Sequence, residues 1–329
     1  MFGQMDAGRL KFAIECLLAD FGKANVFFVV PSTDSNYETF AQPEYGKVPG
    51  MVFSKFQDAV DAASSGNGDK IFLLPGIHYA ALDTLQHISY KDNVVFSGLP
   101  GYRDDTILKG GITLTTDICT LRHSGADCTF KDLTFLGYGA GKECVAVMGE
   151  VTYDGTDYGP PTGTKFENCR FEAQSATVGN GLELYDHKHE ISEIQVSGCL
   201  FERCGNAIVY GSGISSTPPA EGTEDVNNII VQDCVFRACQ VDHAEPALNH
   251  SDVTLLLHKG NVHVDAKAGG SDHYLDLGTG TNTGLVTGCS FAHATAATAK
   301  MVIPAGIKWV NNHTEEVVDS TGTTDNRPD

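Results

Sequence analysis

Short runs of alternating apolar and polar residues recur along most of the chain, separated by Gly, Asn, Asp and Ser. This alternation predicts β-strands, because successive side chains of a strand point to opposite faces of its sheet. No long amphipathic helical pattern lies between these runs. The clearest strands predicted between the repeats described next are 181–185, 206–210, 253–258 and 273–277.

A five-residue unit that ends in Phe is repeated along the chain. The copies KDLTF, ENCRF, SGCLF, QDCVF and TGCSF end 36, 30, 35 and 55 residues apart, at Phe135, Phe171, Phe201, Phe236 and Phe291. A degraded copy, KGNVH, ends at His263 and divides the last step into 27 and 28 residues. A period of about 30 residues with short strands and no helix predicts a solenoid of stacked sheets, with a β-propeller as the weaker alternative.

The repeats also predict what fills the solenoid. Equivalent residues of successive turns lie about 4.8 Å apart. We therefore predict two interior columns, one of Cys169, Cys199, Cys234 and Cys289, and one of Phe171, Phe201, Phe236 and Phe291. Buried free cysteine packs as a small apolar side chain. Metal ligation and disulfides are the alternatives. The pairs Cys199/Cys204 and Cys234/Cys239 are each five residues apart, which is wider than zinc sites usually show.

Charge and composition narrow the range of partners. Among 329 residues, 42 are acidic and 22 are basic, which gives a formal net charge of −20. We expect no nucleic-acid partner, since phosphate binding needs a basic surface. No apolar run reaches the roughly 18–20 residues that span a bilayer. The N-terminus shows neither a basic leader nor a cleavage site, so we expect no signal peptide and no membrane insertion.

The stretch FSKFQDAVDAASSGNGDKIFLLPGIHY (53–79) has its own signature. Ser54 and Gln57 match a capping box that opens a short helix, and a strand and a Pro-Gly turn follow it. NVVFSGLPGYRDDTILKGG (93–111) then adds a strand, a Gly-rich corner and another strand. This order resembles the N-terminal cap and first turns of pectate-lyase-like right-handed parallel β-helices. The resemblance covers about 53–314 and implies an all-β, right-handed parallel β-helix with an N-terminal helical cap.

The resemblance also implies a domain organisation. We predict an N-terminal segment of residues 1–50, a parallel β-helix of residues 51–314 and a C-terminal tail of residues 315–329. Within the first segment, apolar residues at helical spacing precede a predicted strand at 25–30. This segment either extends the cap over the first turn or serves in attachment or oligomerisation.

Carboxylates near the middle of the chain are the candidates for catalysis. Glycoside hydrolysis needs two carboxylates, and lyase chemistry needs a base together with a cation or basic side chain. The candidate residues are Asp154, Asp157, Glu183 and Asp186. A solvated loop and strand edge is the competing interpretation. The sequence has none of the Asn-Thr-Asp, Gly-His-Gly and Arg-Ile-Lys signatures of polygalacturonase-like members of the superfamily.

A weaker candidate is a metal site further along the chain. Asp242, His243, Glu245 and His250 lie close together, with His258 and His263 downstream. Histidine and carboxylate ligands suit several divalent ions, whereas ordinary loop polarity explains the same residues without a ligand. We predict no cofactor.

The pectate-lyase-like superfamily includes polysaccharide lyases and hydrolases, and also bacteriophage tailspikes, fibres and other virion components. With the catalytic signatures missing, we expect a non-catalytic viral structural protein that serves in host-surface binding or particle stabilisation. A carbohydrate-active enzyme, either a polysaccharide hydrolase or lyase, is the alternative. The resemblance further implies a homotrimer, assembled in the host cytoplasm into the virion. Its residues 1–50 would contact other virion proteins, and its surface would contact a host glycan.

Overall fold

The structure is a computed structural model whose strands stack along one axis in three long parallel sheets, called here sheets A, B and C. The chain passes from sheet A to sheet B to sheet C and back in each turn, which makes an all-β, right-handed parallel β-helix. The structure describes residues 24–31, 51–80, 86–110, 119–137, 143–173, 179–185, 189–210, 226–239, 241–244, 253–264, 273–276, 282–292, 300–302 and 305–314.

Sheet A has eleven strands in the described residues. In spatial order they are Val52–Phe53, Val26–Val29, Lys70–Leu73, Val95–Ser97, Thr129–Lys131, Lys165–Glu167, Gln195–Ser197, Ile230–Gln232, Leu256–Lys259, Gly284–Thr287 and Ile307–Val310.

Sheets B and C continue each turn. Sheet B contains Gly76–Tyr79, Thr106–Lys109, Thr134–Leu136, Arg170–Glu172, Leu200–Glu202, Val235–Arg237, Val262–Val264, Ser290–Ala292 and His313–Thr314. Sheet C contains His87–Ser89, Leu121–His123, Val145–Met148, Asn180–Tyr185, Asn206–Tyr210, Val241–Ala244, His273–Asp276 and Lys300–Val302. A small parallel sheet of Ile191–Ser192, Val226–Asn227 and Val253–Thr254 and an antiparallel hairpin of Val151–Tyr153 and Thr156–Tyr158 complete the described strands.

Aromatic rings fill the core behind sheet B. The structure places the four predicted phenylalanines in one buried column. The rings of Phe171 and Phe201 have centroids 4.6 Å apart, and those of Phe201 and Phe236 are 5.0 Å apart. His263 takes the place of Phe in the degraded repeat, 4.7 Å from Phe236 and 4.4 Å from Phe291. A continuous stack of rings therefore runs through the core from Phe171 to Phe291.

The cysteine column lies at the corner between sheets A and B and does more than fill space. Its four members are buried free thiols. The Sγ of Cys234 donates a hydrogen bond to the carbonyl of Val196 in the preceding turn, at 3.6 Å. Cys199 bonds in the same way to the carbonyl of Phe166, at 3.5 Å. The thiols thus also link successive turns by donating hydrogen bonds to backbone carbonyls.

Asparagine occupies the same corner in two turns that lack cysteine. Asn261 Nδ2 donates to the Val231 carbonyl at 2.9 Å, and its Oδ1 accepts from the Cys234 amide at 2.8 Å. Asn312 makes the corresponding pair of bonds to Val286 and Cys289. These residues satisfy one backbone donor and one acceptor that the corner would otherwise bury unpaired.

Replacing Asn261 with Ala should lower the free energy of unfolding by about 2–4 kcal/mol, because two buried backbone groups lose their partners. Asn261→Cys should be less destabilising, since cysteine bonds at this corner in neighbouring turns. Urea unfolding would measure both changes, with Gln232→Ala on the outer face of sheet A as a control that should stay within about 0.5 kcal/mol of the parent. An Asn261→Ala chain as stable as the parent would contradict this.

Left-handed backbone positions turn the chain at its corners. In the corner before sheet A, Asn93, Asp127, Glu193 and Asn228 have φ between 53° and 59°. Asn and Asp tolerate this region well, but Leu255 also adopts it, with φ 56°. The predicted strand 253–258 was therefore wrong in one respect: the chain turns at Leu255 and divides it into two strands of different sheets.

A short helix, α1 (Phe56–Ala62), lies near the N-terminal end of the β-helix and buries Phe56, Ala59 and Val60. The predicted capping box is not formed, because the N-cap residue is Lys55 and no side chain caps the helix. Gln57 instead accepts a hydrogen bond from the Ile88 amide of sheet C. Within the described residues, no helix is long and apolar enough to span a membrane.

The β-helix begins before the predicted boundary at residue 51. Val26–Val29 pairs in parallel with Lys70–Leu73 inside sheet A. The carboxylate of Asp69 accepts hydrogen bonds from the amides of Asn25, at 2.9 Å, and Ser64, at 2.8 Å. This N-terminal strand is thus part of the solenoid. The predicted helical segment before it and the tail 315–329 lie outside the described residues.

Candidate functional site

Asp154 and Asp157 lie on the antiparallel hairpin 151–158, where both are exposed. Asp154 and Gly155 form its turn with φ values of 49° and 74°, as a two-residue hairpin turn of this kind requires. Asp157 accepts a hydrogen bond from the Thr152 hydroxyl at 2.6 Å. The backbone of Asp154 and the carboxylate of Asp157 therefore have local structural roles in the hairpin.

Tyrosine side chains anchor this hairpin to helix α1. The rings of Tyr153 and Tyr158 pack on Tyr90, with centroids 4.8 and 4.4 Å away. The hydroxyls of Tyr90 and Tyr153 donate to the two carboxylate oxygens of Asp61, at 3.0 and 3.1 Å. Burial and the Asp61 carboxylate raise the pKa of Tyr153 to about 12, so its hydroxyl remains a donor.

Glu183 is fully buried within sheet C. It lies in register with Ala146, which in turn lies in register with Arg122. The next residue, His123, packs its ring edge-on against Phe130 in the core. Because side chains alternate along a strand, Arg122, Ala146 and Glu183 share the opposite, outer face of sheet C.

Arg122 and Glu183 belong to a group that we call the sheet C polar cluster, formed by Cys119, Arg122, Glu143 and Glu183. Burial raises the pKa of the Cys119 thiol to about 12, and the Glu143 and Glu183 carboxylates add to this while Arg122 opposes it. The charges of all three side chains thus act on the thiol. Ala146 separates Arg122 from Glu183 in the register of sheet C. Two carboxylates beside a guanidinium provide groups for proton transfer and for charge neutralisation.

The remaining carboxylate and metal candidates lie only partly within the described residues. Asp186, Glu245 and His250 lie outside the described residues. Asp242 and His243 are neighbours in a strand of sheet C. In the part of the chain that the structure describes, no group of three or more His, Cys, Asp or Glu side chains is arranged to hold a metal ion.

His258 and His263 form a buried pair inside the solenoid. Their Nε2 atoms are 3.0 Å apart, so one ring donates a hydrogen bond and the other accepts it. Burial lowers the pKa of His263 to about 3, and burial together with His263 holds the pKa of His258 well below its usual range. Both rings are therefore neutral and belong to the core.

A groove of about 350 Å³ runs along the corner before sheet A. We call it the sheet A groove. One side is formed by left-handed corner residues of four successive turns, and the other by residues that face outward from sheet A. Its polar lining residues are Asp127, Thr129, Lys165, Glu193, Gln195 and Asn228. No sequence motif marks this groove, because its residues come together only through the register of separate turns.

Charged side chains form a ladder on the outer face of sheet B. Arg170 contacts Glu172 at 2.7 Å and Glu202 of the next turn at 2.6 Å. Arg237 contacts Glu202 from the turn beyond, and Arg203 contacts Glu172. Only 12% and 14% of the Glu172 and Glu202 side chains are exposed, so these pairs are partly shielded from solvent. We call these five residues the ionic ladder.

No protein-family model matches the chain, and a search of curated proteins found no match. Solved structures with a similar fold include pectate lyase Pel9A, at 9% identity over 90% of this chain and 78% of that one, with a TM-score of 0.46. ORF18 of Geobacillus virus E2 is 13% identical over 95% of this chain and 65% of that one, with a TM-score of 0.44. A pectin methylesterase from Aspergillus niger is 11% identical over 94% and 89%, also with a TM-score of 0.44. All three are parallel β-helix proteins, and the likeness concerns the fold alone.

Proposed function

We propose that this chain is a non-catalytic structural protein of a virus particle, serving as a β-helical spike, fibre or capsid-decoration component. The observation that carries the proposal is the ionic ladder. It joins three successive turns of sheet B through partly shielded arginine–carboxylate contacts, which are stronger than isolated surface pairs. Such cross-turn contacts resist unwinding of the solenoid, and a stiff rod is what a particle component needs.

The roles of the hairpin carboxylates agree with this proposal. Asp154 provides a left-handed turn residue, and Asp157 holds the Thr152 hydroxyl. Neither group needs a substrate to explain its position.

The particle assignment can be tested by mass spectrometry of gradient-purified particles of the virus that encodes the chain. Its peptides should be found in a constant ratio to the major capsid protein across preparations. A chain that is abundant in infected-cell lysate but missing from particles would contradict the assignment.

The second candidate function is a carbohydrate-active enzyme, and the sheet C polar cluster favours it. Turnover would be measured as new reducing ends or unsaturated products after incubation with pectin, polygalacturonate and bacterial capsule. Glu183→Gln would remove one carboxylate of the cluster, and Glu190→Gln, an exposed acid nearby, is the matched control. Product formation that is lost in Glu183→Gln and kept in Glu190→Gln would replace the structural proposal with the enzymatic one.

We also propose that the chain forms a homotrimer, whose contacts bury exposed apolar side chains around sheets A and B. Leu255, Val262 and Val310 are 66%, 39% and 37% exposed. Closed symmetry buries such positions without forming open fibres. Three chains of −20 carry a charge of −60, so we expect the charged side chains to stay outside the contacts.

Light scattering in moderate salt should give the mass of three 35.1 kDa chains, 105.3 kDa. Lower salt should weaken the assembly, because repulsion between the chains is then less screened. A chain that starts at Lys23 keeps the strand Val26–Val29 and should still form the β-helix but lose attachment to the particle. A 35.1 kDa full-length species at micromolar concentration would contradict the trimer.

A further inference from the structure

The sheet A groove repeats the same construction in each turn. Its corner residues Asp127, Gly163, Glu193 and Asn228 all have left-handed backbone. The backbone amides of these residues bond to carbonyls of the following turn, as that of Asp127 does to Thr162 at 2.6 Å. The corner backbone is therefore fixed, and the side chains that line the groove start from rigid positions.

Gly163 leaves room for the carboxylate of Asp127. A Cβ atom on Gly163 would lie 2.4 Å from Asp127 Oδ1, so the carboxylate rests against bare backbone of the next turn. Gly163 also has φ +69°, which a side chain would disfavour. Both observations favour glycine at this position, and glycine leaves room for the carboxylate at the groove.

The opposite side of the groove changes from polar to apolar side chains along the solenoid axis. Lys165, Gln195 and Ile230 lie in register on successive strands of sheet A, and Leu257 continues the column. Polar donors and acceptors are thus followed by an apolar surface, with one position per turn. Turns are spaced by about 4.8 Å, which is close to the length of one sugar ring in an extended glycan.

The charges of the groove select among glycans. Asp127 and Glu193 outnumber Lys165, and the whole chain carries −20. A polyanionic sugar chain would be repelled by this field, whereas neutral sugar hydroxyls can donate to carboxylate and amide oxygens.

We infer that the sheet A groove binds a neutral oligosaccharide that runs parallel to the solenoid axis, with hydroxyls bonded by Asp127, Lys165 and Gln195. Ring faces pack on Ile230 further along. This deepens the proposed function, since it gives a particle component the site that contacts host-surface glycan. The binding itself does not depend on the chain being in a particle.

The test titrates the full chain with cellohexaose, maltohexaose and chitohexaose, and with hexagalacturonate as the acidic probe, using calorimetry and ligand-observed NMR. We expect at least one neutral hexasaccharide to bind and hexagalacturonate not to bind. Lys165→Ala and Gln195→Ala should each weaken binding by about tenfold without changing the thermal midpoint. Lys308→Ala is the matched control, because Lys308 lies exposed in the same register column of sheet A and should bind like the parent.

Absence of binding by all three neutral hexasaccharides at millimolar concentration would overturn the inference. Unchanged affinity in Lys165→Ala and Gln195→Ala, or binding of hexagalacturonate alone, would do the same. A chain that binds glycan but is missing from particles would refute the proposed function and leave this inference standing. A particle protein that binds none of the neutral probes would refute only the inference.

Discussion

Acidification to about pH 5 should destabilise the fold by about 8 kcal/mol, because four histidines whose folded pKa values lie at about 4 or below are buried in neutral form, and a fifth acts in the same direction. Burial lowers the pKa values of His78 and His87 to about 4 and those of His123 and His263 to about 3. The pKa of His258 is also held well below its usual range by burial. Each ring is thus a poor proton acceptor in the folded chain.

The direction of the effect follows from comparing the folded and unfolded chains. An unfolded histidine takes up a proton near pH 6.5, whereas the four folded histidines other than His258 do not until about pH 4 or below, and the folded pKa of His258 is shifted in the same direction. Stability is therefore complete above about pH 6.5 and is lost as the pH falls toward the folded pKa values. Each of these four histidines contributes about 2 kcal/mol at pH 5, and together they approach the whole stability of a typical domain, about 5–15 kcal/mol.

Urea unfolding at several pH values between 7.5 and 5 would measure this loss. The double variant His258→Val/His263→Phe restores the residues found at these positions in neighbouring turns, Val231 and Phe236. It should lose at least the contribution of about 2 kcal/mol at pH 5 that His263 makes, and fold at least as well at neutral pH. An identical pH dependence in parent and variant would show that these two rings do not control acid stability.

Replacing Phe201 with Ala should lower the free energy of unfolding by about 3–5 kcal/mol. Its ring is fully buried and stacks on both neighbours, at 4.6 Å from Phe171 and 5.0 Å from Phe236. The substitution removes two ring contacts and leaves a cavity that a hydrogen-bonded backbone on every side keeps from closing. Phe236→Ala should cost a similar amount, because Phe201 and His263 enclose it in the same way.

Differential scanning calorimetry or urea unfolding would measure both variants. The matched control is Tyr79→Ala, which removes an aromatic ring that is 44% exposed and should change stability much less. A thermal midpoint of Phe201→Ala within error of the parent would mean that the rings do not support the solenoid.

The sequence allowed the solenoid to be predicted because its repeats are chemically regular. A Cys and a Phe two residues apart mark the corner and the inward face of sheet B, and their recurrence predicts the stacking. His263 fits the pattern because its flat ring can replace Phe in the column. Leu255 misled the prediction, since leucine rarely adopts the left-handed backbone that divides the strand there.

The candidate sites could be predicted from the sequence less well than the fold could. Glu183 could be selected as a candidate carboxylate, but Arg122 and Glu143 precede it by 61 and 40 residues and share no motif with it. The turns differ in length, so the sequence does not show which residues stand above one another. Only the register of the strands brings Lys165 beside Gln195.

The proposal that this chain is a structural component of a virus particle is tested most directly by electron microscopy of intact particles labelled with an antibody to the chain. We predict label at fixed positions on the particle surface. This regular pattern of label should disappear when the particles are disassembled. Particles that stay unlabelled, while the same antibody detects the chain free in the infected-cell lysate, would contradict the account.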